Sequence, residues 1–290
     1  MANGRTSTTI VNTNIGKNKI LDYIKWTSII LFIIFTILVR LNIQSISSML
    51  QIGMFASLIV FGWIHGTQRY GIKNMGIWFI ITWIVSNGLE GLSIKTGFPF
   101  GHYYYTASSP EILGVPIMIM IIYFGLSYTS WTVAQAVTGH FSKKITGMYK
   151  LIIPLTTALV MTMWDLATDP QASTIGSAWI WTNGGAYFGV PLSNFVGWVL
   201  VVYIFMQIFT LFIANKNLDI SKDNITSKKA YWLEAIIVYL VMGLGVFLEG
   251  FTHTDHVDIY TSMAMVSVFT MVFTAGIALL NVKNSKELGV

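Results

Sequence analysis

The chain contains no cysteine, and only 10% of its 290 residues are charged. Without cysteine it has no disulfide framework, no thiolate nucleophile and no thiolate metal ligand. A soluble domain carries about 25% charged residues, so this chain has too few to cover a globular surface. Hydrophobic residues make up 54% of the sequence. The composition therefore predicts a polytopic membrane protein.

Motifs for nucleotide binding and acyl transfer are also missing. The sequence has no Gly-x-Gly-x-x-Gly fingerprint, no P-loop and no Gly-x-Ser-x-Gly elbow, which leaves nucleotide cofactors and acyl-enzyme chemistry without support. The net charge of +5 is compatible with nucleic-acid binding, but in a membrane protein an excess of Lys and Arg marks the cytoplasmic side. We predict neither a cofactor nor a nucleic-acid partner.

Apolar runs long enough to cross a bilayer, about 20 residues each, recur along the chain. We predict an all-α bundle of eight transmembrane helices within residues 19–282, preceded by a disordered polar tail over 1–18 and followed by a short cytoplasmic tail over 283–290. The first run ends at Arg40 without a small-residue cleavage site, so we interpret it as a retained helix rather than a signal peptide. The predicted spans cover approximately 22–42, 48–66, 75–93, 114–138, 149–167, 193–214, 231–251 and 258–281.

The basic residues test this topology. With the N-terminus and C-terminus in the cytoplasm, every Lys and Arg except Arg40 and Lys95 belongs to an inner segment, as the positive-inside rule requires. Three acids, Glu90, Asp165 and Glu249, then lie near the outer ends of the third, fifth and seventh helices. An ionisable group at membrane depth is costly and usually faces a bundle interior or cavity. We expect the three acids to surround one cavity near the outer leaflet.

A weak internal repeat supports this grouping. Shifting the chain by 75 positions aligns Glu90 with Asp165 and Gly114-Val115-Pro116 with Gly189-Val190-Pro191. The stretch around Glu249, Leu248-Glu249-Gly250-Phe251, echoes Leu89-Glu90-Gly91-Leu92. We interpret the helix pairs as parallel repeats about an axis along the membrane normal.

Carboxylic acids beside aromatic rings in an apolar pocket are suited to the protonation of an alkene. A protonated acid can donate to an alkene, and an ionised one can accept a proton from water. Aromatic faces attract the cation that forms between these steps. Most tryptophans fit the interfacial belt of membrane proteins, but Trp164, Trp179 and Trp181 flank Asp165 and Asp169. The competing hypothesis is a metal site built from His253, Asp255 and His256; these lack the His-Glu-x-x-His pattern, and we predict no metal.

The motifs around these acids resemble those of the membrane carotenoid-biosynthesis proteins that hydrate the ends of acyclic carotenoids, the bisanhydrobacterioruberin hydratase and carotenoid 1,2-hydratase type. The resemblance covers roughly residues 50–280. It rests on several motifs taken together: Glu90-Gly91, Thr96-Gly97-Phe98-Pro99-Phe100-Gly101-His102-Tyr103, Gly114-Val115-Pro116, Asp165 with Asp169-Pro170, Trp179-Ile180-Trp181, Tyr187-Phe188-Gly189-Val190-Pro191 and Asn194-Phe195-Val196-Gly197-Trp198.

The resemblance implies a multi-pass protein of the cell membrane that adds water, without a cofactor, to the terminal isoprenoid double bond of a C40 or C50 carotenoid. Membrane lipid and other carotenoid enzymes are the further partners it implies. We hypothesise that Glu90, Asp165 or Asp169 protonates the alkene and that a second carboxylate, with Glu249 as a candidate, deprotonates water. The predicted substrate-binding residues are His102, Tyr103, Trp164, Trp179, Trp181, Tyr187 and Asn194.

Three alternatives remain open at this level. A carotenoid cyclase would use the same proton donor and cation, but an internal double bond would capture the cation. A proton-coupled transporter would use the carboxylates as a relay. A structural scaffold would leave the clustering of acids and aromatic residues unexplained.

Overall fold

A computed structural model of the chain describes residues 5–41, 47–106, 109–142, 144–216 and 225–289, with only the backbone of 5–18 and 47. Nine α-helices lie within these residues, together with two π-helical turns and four short strands. The helices are α1 Arg5–Arg40, α2 Ser47–Tyr70, α3 Ile72–Thr96, α4 Ile117–Val137, α5 Tyr149–Asp169, α6 Leu192–Ala214, α7 Lys229–Thr252, α8 Val257–Ser267 and α9 Phe273–Asn284.

Eight helical segments of the described chain are long and apolar enough to cross a membrane. The last combines α8 and α9, which a π-helical turn at Val268–Val272 joins into one span, Val257–Asn284. The prediction of an all-α, multi-pass bundle is therefore confirmed. The predicted orientation of the termini and the leaflet of the acids stay predictions.

The first helix differs from its predicted extent. Its backbone is helical from Arg5, whereas the sequence predicted a disordered tail over 1–18; the apolar span itself begins at Lys19. Residues 1–4 and 290 of the predicted tails, and residue 42 of the first predicted span, lie outside the described residues.

Helix α4 is the centre of the bundle. It packs against α2, α3, α5, α7 and α9, and every side chain from Tyr123 to Ala136 is buried. A helix that is apolar on all sides is expected to be enclosed by others. Its polar groups find local partners: Thr129 donates to the Gly125 carbonyl at 3.0 Å, and Ser127 accepts from Nε1 of Trp78 at 3.1 Å.

The four strands lie at one end of the bundle, which we call the strand end. Strands β1 (Tyr103–Tyr105) and β4 (Trp179–Trp181) pair antiparallel, with Tyr104 opposite Ile180. Strands β2 (Glu111–Ile112) and β3 (Val115–Pro116) form a hairpin. Its two turn residues, Leu113 and Gly114, have φ values of 58° and 81°, the positive angles that a tight hairpin turn requires. The sequence predicted loops here, because three-residue strands are too short to give a detectable alternation.

Proline sets two helix boundaries near the strand end. Pro116 and Pro191 directly precede α4 and α6, as the Gly-Val-Pro motifs predict, because a helix start does not need the missing proline N–H. Pro170 follows the last residue of α5, and the chain continues as a π-helical turn, Pro170–Ile175. Because proline cannot donate to the carbonyl four residues earlier, the regular ladder is interrupted at this position.

The proposed 75-residue repeat stays a prediction, but two packing features agree with it. Tyr123 and Trp198, which the shift superposes, stack with ring centroids 4.8 Å apart and an interplanar angle of 8°. Moreover, α3 packs on α6 while α4 packs on α5, the exchange expected when α3–α4 and α5–α6 are related by a twofold axis.

Candidate active site

A cavity of about 450 Å³ lies inside the strand end of the bundle, with walls from α1 to α6, β1, β4 and the π-helical turn after α5. Most of its lining is apolar or aromatic. Seven polar side chains that carry a charge or an amide lie among these groups: Arg40, Gln51, Glu90, Asp165, Asp169, Gln171 and Asn194. The sequence prediction that Glu90 and Asp165 share a cavity agrees with this geometry.

Glu90 is the acceptor for three tyrosines. Tyr103 and Tyr105 donate to Oε2, the second at 3.1 Å, and Tyr123 donates to Oε1 at 2.6 Å. The Glu90 side chain is only 4% exposed, and it forms no ion pair within the described residues. Its lone pairs are therefore satisfied by neutral hydroxyl donors rather than by a cation.

The alternation of β1 explains two of these donors. Successive strand residues point to opposite faces, so Tyr103 and Tyr105 point together toward α3 while Tyr104 remains 51% exposed. Burial, followed by the Glu90 charge, raises the pKa of both Tyr103 and Tyr105 well above the usual value. Both phenols therefore keep their protons and act as donors.

Asp165 and Asp169 form the second acidic group. They are four residues apart in α5, and residues at this spacing share one helix face. The amide nitrogen of Asn194, in the first turn of α6, donates to Oδ2 of Asp165 at 2.8 Å and to Oδ2 of Asp169 at 2.6 Å. Both carboxylates are buried, and neither has a cation partner in the described part of the chain.

Aromatic rings cover the remaining walls around these acids. Trp181 contacts Tyr103 with centroids 4.8 Å apart, and Trp179 packs edge-on against Tyr105 at 6.1 Å. On the α5–α6 side, Trp164 packs edge-on against Trp198 at 6.3 Å. The close approach of α6 depends on Gly197, where an added Cβ would lie 2.7 Å from Phe100. Trp164, Trp179 and Trp181 thus line the cavity as the sequence predicted.

Glu249 does not belong with the unpaired acids. It forms an ion pair with Arg40 and accepts from Nε2 of Gln171 at 2.9 Å, while Arg40 and Gln171, rather than Glu249, line the cavity. The sequence predicted that Glu249 surrounds one cavity with Glu90 and Asp165. For Glu249 that expectation was wrong, because the packing of α1 on α7 brings it against Arg40 instead.

Two other predicted binding residues lie outside the cavity lining. His102 is exposed, and its carbonyl accepts from the backbone and hydroxyl of Thr182 at 3.0 Å each. Tyr187 is half-buried in the segment before α6, and its backbone pairs with that of Val190. Burial, followed by the charge of Asp169, raises the pKa of Tyr187.

The residues of the competing metal hypothesis lie at the junction of α7 and α8. His253 stacks on Tyr260 with centroids 3.9 Å apart, and His256 directly precedes α8 with a φ of 53°. Among the described residues, no three His, Asp or Glu side chains are grouped as metal ligands.

Sequence reasoning missed Tyr105, Tyr123, Gln171, Trp198 and Arg40, all of which line the cavity. For Tyr105 the signal was available, because it follows Tyr103 by two residues and shares its strand face. Trp198 ends the motif that begins at Asn194, but nothing in the motif distinguishes it from the tryptophans of the interfacial belt. Tyr123 lies inside an apolar helix, where nothing local distinguishes it from core residues.

Comparison with known proteins places these features in a family. The family model described as "Carotenoid biosynthesis protein" matches residues 29–253. Bisanhydrobacterioruberin hydratase of Haloarcula japonica is 28% identical over 130 residues, which cover 44% of this chain and 42% of that protein. The chain therefore matches less than half of that relative's length. No solved structure matches. The family model covers most of the chain and every cavity residue described above, and the chain belongs to the carotenoid biosynthesis protein family.

Proposed function

We propose that the protein is a hydratase that adds water to the terminal isoprenoid double bond of an acyclic C40 or C50 carotenoid. The observation that carries this proposal is the set of three buried carboxylates, Glu90, Asp165 and Asp169, in an aromatic-walled cavity without an ion-pair partner among the described residues. Family membership and the name of the haloarchaeal relative support the same reaction class.

The aspartate pair supplies the acid and the base. Two buried carboxylates that share one amide donor repel each other when both are ionised, so the pair holds one proton. The protonated member donates to the terminal carbon–carbon double bond; a C–H bond forms, the π bond breaks and a tertiary cation results. Water then forms a C–O bond and gives its proton to the ionised member. The reaction adds one water and transfers no electrons to another molecule.

Glu90 and the aromatic rings stabilise the cation between these steps. Three hydroxyl donors favour the ionised form of a carboxylate, and in that form Glu90 places a negative charge beside the cation. Preorganised charge of this kind is usually the largest single contribution to transition-state stabilisation. The faces of Trp164, Trp179 and Trp181 add a cation–π contribution of about 0.5–2 kcal/mol per ring.

Apolar side chains on α2 and α4 suit a lipid-dissolved substrate. Phe55 on α2 and Ile119 and Ile122 on α4 line the cavity and are only partly buried. A polyene can enter between these helices from the hydrocarbon layer. The cavity volume lies within the range of about 300–1,000 Å³ typical of small-molecule sites, so it holds one end of a long polyene while the remainder extends into lipid. With the cytoplasmic termini predicted above, this end of the bundle is near the outer leaflet.

Expression in lycopene-producing cells, and in parallel in cells that make an acyclic C50 carotenoid, tests the proposal. Pigments are extracted and their masses compared with those from cells that carry Asp165→Asn. A hydratase increases the mass by one water per reacted end, and the variant does not. A cyclase leaves the mass unchanged, and a transporter leaves the pigment unchanged but produces pH-driven flux in proteoliposomes; either result would refute the proposal.

A further inference from the structure

Several buried polar atoms lack hydrogen-bond partners within the described part of the chain, and three of them belong to Asp169 and to two residues that interact with it. They are Oδ1 of Asp169, Nε1 of Trp181 and the hydroxyl oxygen of Tyr187. Buried polar atoms are nearly always paired, and each exception calls for an explanation. One exception would carry little weight, but three in one neighbourhood indicate a common ligand.

Asp169 connects the other two side chains, because both Trp181 and Tyr187 interact with it. Trp181 interacts with the Asp169 carboxylate, although its N–H does not meet an acceptor with full hydrogen-bond geometry. Asp169 is also the charge that acts on Tyr187. The segment with Tyr187 leads directly into Asn194, whose backbone bonds to Pro191 at 3.0 Å and whose amide holds Asp169.

The donor and acceptor pattern of these atoms matches a water molecule. Asp169 Oδ1 accepts, the indole N–H donates, and a phenol oxygen can do either. A buried water needs two to four polar partners. When the indole donates to one lone pair and Asp169 and Tyr187 accept the two hydrogens, the second lone pair is left free to react.

We propose that Asp169, Trp181 and Tyr187 bind the water that captures the carbocation, and that this site determines whether the cation is hydrated. The inference rests on the proposed hydratase function. In this step the free lone pair forms the C–O bond, one O–H bond breaks, and the proton passes to Oδ1 of Asp169. Trp181 and Tyr187 are positioning residues for the water.

Water capture competes with loss of a proton from the cation, which returns an alkene. A cation without an oriented water therefore reverts or rearranges without gaining a water. Removing one positioning group should reduce hydration more than protonation. This separation distinguishes a water site from a merely structural role.

The test uses the full chain in membranes with acyclic carotenoid in D₂O. The variants are Trp181→Phe and Tyr187→Phe, and the control is Trp83→Phe, a partly exposed α3 tryptophan outside the cavity lining. Two readouts are taken: hydrated product by mass, and deuterium incorporated into unhydrated polyene.

We expect Trp181→Phe to lower the ratio of hydrated product to deuterated alkene about tenfold, the loss of roughly one hydrogen bond, and Tyr187→Phe to lower it less. Deuterium incorporation falls less than hydration relative to Trp83→Phe, because phenylalanine keeps an aromatic face at position 181 and removes only the hydroxyl at position 187. An unchanged ratio in both variants would overturn the inference, and so would a parallel loss of both readouts in both variants. If the hydratase proposal itself fails, the unmodified protein gives no hydrated product, which distinguishes that failure from a failure of the water site.

Discussion

The buried carboxylates of this protein are of two kinds. Glu249 and Glu234 each face a cation: Glu249 pairs with Arg40, and Glu234 pairs with Lys25 at 2.8 Å. Glu90, Asp165 and Asp169 are equally buried, but within the described chain they meet hydroxyl and amide groups instead. The same functional group therefore occurs in two environments within one bundle.

This difference separates structural acids from reactive ones. A cation partner favours the charged form of a buried carboxylate. Such an acid is a poor proton donor and is not expected to take part in catalysis. A buried carboxylate with neutral donors can change protonation state, which proton donation requires. The comparison predicts that substitutions in the two groups will have different consequences, on activity for one and on stability for the other.

The largest effect is expected for the aspartate pair. Asp165→Asn or Asp169→Asn removes the shared proton and should reduce the hydration rate by about 10²–10⁴-fold, the usual contribution of general acid–base catalysis. The rate is measured as hydrated carotenoid formed by membranes with equal amounts of folded protein. Asp258→Asn, at an exposed position in α8, is the matched control. Retention of the full rate by Asp165→Asn and Asp169→Asn, together with Glu90→Gln, would disprove the assignment.

A second prediction concerns the paired acid Glu249. Glu249→Gln leaves the Arg40 charge buried without a partner and should destabilise the protein by about 3–5 kcal/mol. Adding Arg40→Met removes the unpaired charge and should recover most of this loss. The thermal unfolding midpoints of both variants in detergent test the prediction. If Glu249→Gln alone is as stable as the unmodified protein, the ion pair contributes little to stability.

A smaller effect is expected at the tyrosines that surround Glu90. Tyr103→Phe removes one of three donors and should lower the hydration rate by about ten- to a hundredfold, since hydrogen bonds to charged groups contribute about 1.5–3 kcal/mol. Tyr104→Phe, on the exposed face of the same strand, should have no effect. Equal rates for the two variants would contradict the proposed role of Glu90.

Much of the fold follows from the sequence, because transmembrane helices are defined by local apolar runs. The eight spans and the proline-preceded starts of α4 and α6 could be predicted. The sequence also predicted that Glu90 and Asp165 share one cavity, since the predicted topology placed both acids at the same end of the bundle.

The partners of these acids could not be predicted in the same way. The Arg40–Glu249 pair joins residues of α1 and α7, and Tyr123 reaches Glu90 from the next helix. Such contacts depend on how the helices pack, and no local sequence pattern predicts them. The β1–β4 ribbon presents the same difficulty, because two three-residue strands become recognisable only when they pair.

The most direct test compares one acid from each group in the same assay. Asp165 and Glu234 are both buried, but only Glu234 has a cation partner in the described chain, and it lies outside the cavity lining. The measurement is the hydration rate per folded protein for Asp165→Asn and for Glu234→Gln. The account predicts a loss of about 10²–10⁴-fold for the first and a rate close to that of the unmodified protein for the second. Equal losses in both, or an unchanged rate for Asp165→Asn, would contradict it.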